Sequence, residues 1–282
     1  MKKNPRNLKE ALEGKLSQKE KSFLVSSFDQ LGNIAVIEVP EELNKKEKII
    51  GGALLKVNKS IKTVCKISGA HKGKFRVQPL KIIAGKKNFI AEYNESGCRF
   101  LFDIRKVFFS PRLASERLRI AKLIQPNEVI GAFFAGVGPY PIVFARNSPM
   151  KKAFAVELNP VAVKYMEENI SLNKCKEKIE VIKGDVKKIA SKKMKGKCDR
   201  IVMPLPHTGE DFLNSAFTAL KPEGGIIHFY KVALRDNPYE GALQKISKIA
   251  KKFRKKFSVL YKKQVRPFSA SKIQVAIDFK VN

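Results

Sequence analysis

The chain holds only three histidines, His71, His207 and His228, and four cysteines, Cys65, Cys98, Cys175 and Cys198, in 282 residues. The cysteines stand far apart and none forms a C-x-x-C pair, which argues against structural zinc and against a disulfide framework. So sparse a set fits a reducing, cytoplasmic setting, and three histidines make a zinc hydrolase a poor reading. No run of 18 or more apolar residues occurs, so no membrane span is expected. The basic start, Met1 to Pro5, is not followed by an apolar core of the secretory type. No metal, no membrane and no obligate oligomer is called for; a monomer is the default expectation.

Acidic residues are scarce too: 26 Asp+Glu face 57 Lys+Arg, a formal net charge of +31. Such an excess attracts polyanions, because each phosphate that is neutralised releases condensed counterions. A lysine-biased composition would raise the charge without any function, and charge alone does not choose among RNA, DNA and a membrane surface. At 44% hydrophobic residues the chain can bury a real core.

Three stretches differ in pattern. Residues 1–20 read as a short charged helical extension, with Leu8, Leu12 and Leu16 at spacing four. Residues 21–106 read as a compact α+β domain. Strands are expected over Ile34–Val39, Thr63–Ile67, Phe75–Gln78 and Phe100–Ile104, with a helix near Leu43–Val57 and glycines at the turns. From residue 107 onward strands and helices alternate. Ser110 is placed to cap a helix whose first turn holds Pro111. Strands are expected near 128–134, 152–157, 179–182, 199–203 and 225–230, and helices near 139–147, 160–173, 209–220 and 238–253. That rhythm implies a mostly parallel α/β sheet covered on both faces. Two further strand-like runs, 256–263 and 272–280, read as a terminal antiparallel hairpin.

The chemistry concentrates after the first strand of this second half. An apolar run from Val129 enters Ala135-Gly136-Val137-Gly138, and a helix follows. Glycines there permit a tight turn and close approach of a ligand, and a helix N-terminus favours anionic groups. A G-x-G turn also closes strands for purely structural reasons, so alone it decides little. Glu157 ends the next strand about 20 residues on, where a carboxylate can accept both hydroxyl protons of a ribose. Asp185, after Gly184, ends the third and could take a bond from an adenine amino group. Either acid alone could be a surface charge. A dinucleotide would also use a glycine turn and an acid, but its third glycine is missing here.

Val107 to Arg117 (Val-Phe-Phe-Ser-Pro-Arg-Leu-Ala-Ser-Glu-Arg), Phe134 to Pro139 and Glu157 to Pro160 resemble the archaeal and eukaryotic tRNA (guanine-37-N1)-methyltransferase family. Leu205-Pro206-His207-Thr208 and Ile227-His228 extend the likeness. So, upstream, do Ser27 to Ala35 and Gly73-Lys74-Phe75-Arg76. The resemblance implies a class I methyltransferase, Rossmann-like fold over 107–282, with a tRNA-positioning domain before it. It implies S-adenosylmethionine as methyl donor and guanosine 37, in the anticodon stem-loop of tRNA, as target. It further implies Glu116 as the general base and Arg76 beside the guanine O6. These roles suit the reaction: N1 of guanine is a poor nucleophile until its proton leaves, and a guanidinium can stabilise the charge developing at O6. The implied cofactor set is Phe108 and Arg117 of the signature, Phe134, Ala135, Gly136, Val137 and Gly138 of the turn, Glu157, Leu158 and Asn159, then Asp185 and Val186, and Pro204. Read without the resemblance, Glu116 would simply pair with Arg112 or Arg119 on its helix, and Arg76 would face outward from a strand.

Two positions depart from the family pattern. Ala132 stands where an acid usually precedes the glycine turn, and Pro204 replaces an asparagine at the end of the fourth strand. Proline supplies neither side-chain polarity nor a backbone N–H. The loss leaves open a wyosine precursor as the methylated base, an aminocarboxypropyl transfer from the same cofactor, and a non-catalytic tRNA-binding relative. Near the C-terminus, Ile246, Ile249, Phe253 and Phe257 should face the core. The lysines between Lys245 and Lys256 then form either a solvated face or a phosphate track.

Overall fold

The computed structural model describes residues 5–70, 73 and 75–282. Met1 to Asn4, His71, Lys72 and Lys74 lie outside the described residues. The chain forms two compact units, one of Met1–Glu95 with Arg99–Pro111, the other of Ser96–Cys98 with Arg112–Asn282. The division falls a few residues beyond the one expected at 106/107.

The first unit contains α1 (Leu8–Ala11), α2 (Gln18–Ser22), β1 (Phe28–Leu31), β2 (Ile34–Ile37), α3 (Glu47–Val57), β3 (Thr63–Ile67), β4 (Leu80–Gly85), β5 (Ile90–Glu95) and β6 (Cys98–Asp103), the last with its first residue in the second unit. The sheet runs β1-β2-β3-β4, and the parallel β2–β3 pair is joined through α3. Residues 5–20 hold two short helices rather than one. Gly14 turns the chain at φ 70, and Ser17 with Glu20 forms a capping box that starts α2 afresh. The segment is not a separate extension either: Leu8, Leu12 and Leu16 are buried in one cluster with Ile37, Leu54 and Val64. The strand expected over Phe75–Gln78 is also corrected. Arg76 takes φ 54 and its N–H meets the Gly73 carbonyl at 3.2 Å, so this is a turn.

The second unit carries α4 (Ala114–Ala121), β7 (Val129–Phe133), α5 (Pro139–Asn147), β8 (Lys152–Glu157), α6 (Pro160–Leu172), β9 (Ile179–Lys183), α7 (Val186–Lys192), β10 (Arg200–Met203), α8 (Leu213–Ala219), β11 (Gly225–Leu234), α9 (Glu240–Lys252), β12 (Phe257–Pro267) and β13 (Lys272–Val281). The sheet order is β12-β13-β11-β10-β7-β8-β9. Strands β9, β8, β7, β10 and β11 are mutually parallel, while β13 pairs antiparallel with both β11 and β12. The central strands are buried almost throughout, as a parallel sheet covered by helices requires. Chain order reverses between β7 and β10, and ligands of open α/β sheets bind beyond the strand ends at such a switch point.

Pro111 stands in the first turn as expected, but that turn is a 3-10 one, Pro111–Leu113, which runs directly into α4. The long helix expected over 209–220 is likewise a 3-10 turn, Gly209–Phe212, followed by α8. Ile246 and Ile249 of α9 are buried, with Phe253 and Phe257 packed against the same cluster. Lys245, Lys248, Lys251, Lys252 and Lys256 are exposed.

Candidate active site

Strand β7 ends in a turn made possible by three left-handed residues, Phe134 (φ 55), Gly136 (φ 57) and Gly138 (φ 90). Gly138 caps α5, and a side chain there would put Cβ 2.9 Å from both Met166 Cγ and Ile142 Cδ1. Only glycine therefore lets α5 start so close to α6. Ala135 and Val137 are buried, whereas Phe134 is half-buried, with its ring edge-on to Phe212 at 4.8 Å.

Register places the acids beside this turn. Phe133 pairs with Val156, and Glu157 with Lys183, so β7, β8 and β9 end on one rim. Glu157 then reaches across: Oε2 accepts the Gly136 N–H at 2.8 Å, and Oε1 accepts those of Leu158 (2.9 Å) and Asn159 (2.7 Å). The Gly184 N–H donates to the Glu157 carbonyl at 2.9 Å, which brings Asp185 to the same rim. Asp185 Oδ1 caps α7 through Lys187 N–H at 2.8 Å, and Val186 is buried behind it. Asn159 is buried and caps α6, while Leu158 is exposed. Pro204 follows β10 at the next strand end. Thus the turn and both acids are brought together.

This rim fits a nucleoside-bearing sulfonium. A carboxylate offers about four acceptor positions, and Glu157 has committed three to backbone, two of them on Oε1. Oε2 keeps a lone pair for one ribose hydroxyl; a second must share Oε1 or displace the Leu158 N–H. Glu157→Ala is expected to weaken S-adenosylmethionine binding by about 10- to 100-fold, the equivalent of losing one charged hydrogen bond of about 1.5–3 kcal/mol. Calorimetry measures it, and an affinity unchanged within experimental error would remove Glu157 from the cofactor site. At Ala132, 1% exposed and in register with Ala155 and Val202, an acid would be enclosed by sheet and helices.

Glu116 sits near the β11 side of the rim. It is 1% exposed on α4, and Tyr230 Oη donates to its Oε2 at 3.2 Å. Tyr230 directly follows Phe229, the partner of Met203, and so stands level with Pro204. Burial pushes the Tyr230 hydroxyl well above its usual pKa, which keeps it a donor. Arg119 also binds Oε2, with Nε at 3.1 Å and Nη2 at 3.0 Å, so the helix-spacing pair is present. Among the described residues, Oε1 accepts from Lys263 Nζ at 3.5 Å. Arg117 is buried, its guanidinium 5.7 Å from the Tyr140 ring.

Arg76 and Phe108 belong to the first unit, where the guanidinium lies 5.6 Å over the ring. Phe108 is 41% exposed. Its neighbour Phe109 instead packs on Phe102 (4.6 Å) and Tyr93 (5.0 Å). Burial lowers Arg76 from its ordinary pKa. The sequence reading missed Tyr230, Lys263 and Asp278 altogether. The acid at Asp278, in a strand buried from Ile273 to Phe279 whose other polar member there is Gln274, is the signal that could have found them.

The glycine turn, the carboxylate at the end of β8 and the strand order are those of a class I, S-adenosylmethionine-dependent methyltransferase. Residues 91–260 match the TRM5/TYW2 methyltransferase domain, and residues 8–88 the TYW2 N-terminal domain. The tRNA (guanine(37)-N(1))-methyltransferase Trm5b of Pyrococcus abyssi is 40% identical over 265 residues, covering 94% of this chain and 78% of the relative. Among solved structures, the complex of aTrm5 with tRNALeu superposes with a TM-score of 0.88 at 32% identity, covering 100% of this chain and 80% of that one. The Methanocaldococcus jannaschii Trm5 complex with adenosine gives 0.81 at 30% identity, over 95% and 79%. The chain belongs to the TRM5/TYW2 methyltransferase family.

Proposed function

We infer that the protein transfers the methyl group of S-adenosylmethionine to N1 of guanosine 37 in tRNA. The observation that carries this reading is 40% identity with a curated enzyme of that activity over 94% of the chain. The rim described above supports it, because turn and acids stand where the donor's nucleoside would lie. When bound, S-adenosylmethionine supplies an electrophilic methyl on a sulfonium.

The residues of this chain then have three tasks. Glu116 takes the N1 proton: the N1–H bond breaks and the proton moves to Oε1, since Oε2 is already held by Arg119 and Tyr230. Arg76 stabilises the charge that appears on O6. Glu157 and the glycine turn orient the donor, and orientation with desolvation supplies much of the rate. The anticodon stem-loop is the part of tRNA engaged, and a net charge of +31 suits its phosphates. The four cysteines are buried and outside any disulfide, which suits a reducing cytosol.

A second reading, aminocarboxypropyl transfer, draws on the TYW2 match over residues 8–88 and on Pro204. Mass spectrometry of tRNA nucleosides after incubation with the cofactor separates them. The expected product is guanosine bearing one methyl group at position 37; an aminocarboxypropyl adduct, or a methyl group only on a tricyclic precursor, would replace the first reading.

A further inference from the structure

Glu116 is one end of a buried polar chain that crosses the second unit. Arg119 spans Glu116 and Asp278, meeting Asp278 Oδ2 with Nη1 at 2.6 Å. Asp278 Oδ1 lies 2.8 Å from His228 Nδ1. On the far side of the imidazole, Arg200 Nη1 lies 2.8 Å from Nε2. A guanidinium has no acceptor, so it must donate, Nε2 must be bare, and the ring proton sits on Nδ1 facing Asp278. Burial, reinforced by Arg200 and Arg119 against the pull of Asp278, lowers the His228 pKa and keeps the ring neutral. The chain closes on Glu128, which holds Arg200 at 2.7 and 2.9 Å.

Asp278 is thereby held by the Arg119 fork, which donates to both its oxygens at 2.6 and 3.3 Å, with the His228 ring packed 2.8 Å from Oδ1 on its other side, and it fixes the plane of that fork. The fork and Tyr230 together occupy Oε2 of Glu116. We propose that Asp278 and Arg119 are positioning residues for Glu116, holding Oε2 so that Oε1 alone is presented to the guanine. The proposal rests on the reading of Glu116 as the base. The charged and titratable groups facing Glu116 are Arg119 and Arg117 on its own helix, Tyr140 on α5, Tyr230 on β11, Lys263 on β12 and Asp278 on β13.

The two charges predict opposite movements. Arg119→Gln removes a cation that favours the carboxylate, so the acid limb of the single-turnover rate should move up by about one pH unit or more. Asp278→Asn removes an anion and leaves Arg119 wholly to Glu116, so the limb should move down. Plateau rates should fall about 10- to 100-fold in both, with KM for tRNA and cofactor near wild type. A merely structural role would lower active enzyme without moving either limb. Arg119→Lys keeps the charge without the fork, and should leave the limb in place while the plateau drops. That variant keeps the test open where Asp278→Asn does not fold.

Limbs that stay at the wild-type pH in Arg119→Gln and in folded Asp278→Asn would overturn the positioning role, as would a wild-type plateau in Arg119→Lys. Glu116→Gln run alongside separates the two ideas. If it turns over at near-wild-type rate, the base assignment itself falls; if it is inactive while the limbs stay fixed, only the positioning role does.

Discussion

Glu116→Gln is expected to slow single-turnover methyl transfer to tRNA by about 10²- to 10⁴-fold, the usual worth of a positioned general base, while S-adenosylmethionine binding stays at the wild-type level. The amide has the carboxylate's shape and its oxygen can still accept from Arg119 and Tyr230, so packing around this 1%-exposed side chain should persist. What it cannot do is take a proton. The acid limb should therefore disappear along with most of the rate. Arg76→Ala should cost about 10²- to 10³-fold through loss of charge stabilisation at O6, again without effect on cofactor binding. The two measurements test different steps: Glu116 removes the N1 proton and Arg76 bears the resulting charge. Near-wild-type single-turnover rates in both variants would remove the assigned mechanism, and the family membership would stand without it.

How much of this could be read from residues alone follows burial. Strand β8, Lys152–Glu157, falls where expected because four consecutive residues are buried on both faces and an acid ends the run. Helix α5, Pro139–Asn147, is equally legible, since a glycine in the left-handed region precedes a proline in the first turn. Where local preference is weak, the reading slipped. Phe75–Gln78 alternates like a strand, but Gly73 and Arg76 are both left-handed and close a turn. Helix α7 (Val186–Lys192) is short and basic with little periodicity, and it is held by the Asp185 cap and by burial of Val186 and Ala190. The rim is legible because its parts are motifs near in sequence. The surroundings of Glu116 are not: Arg119 and Asp278 are 159 residues apart, and only the antiparallel β11–β13 pairing brings His228 opposite Asp278.

The other end of that polar chain should carry stability rather than rate. Arg200 is 2% exposed at the start of β10, and its charge is met by Glu128, just before β7, with the Leu123 carbonyl at 3.0 Å as a further acceptor. Glu128→Ala leaves that charge buried beside a carbonyl and a neutral imidazole. The expected loss is about 3–5 kcal/mol, because an unpaired buried ion is far costlier than an intact pair is favourable. Arg200→Met with Glu128→Leu should recover most of it, since a buried ion pair replaced by apolar side chains is often neutral or better. Denaturant melts of the three proteins measure this, and a single variant as stable as wild type would show that the pair does not hold β7 to β10. The same chain predicts a pH dependence. His228 has a lowered pKa when folded, chiefly through burial, so below about pH 6.5, its ordinary value, the unfolded chain binds a proton that the folded chain refuses. Asp278, also lowered when folded, against its burial, by His228 and Arg119, adds a second loss further down, as pH falls below the usual carboxylate range. Stability should accordingly begin to fall near pH 6.5, and His228→Phe should abolish that first step while leaving the carboxylate step in place.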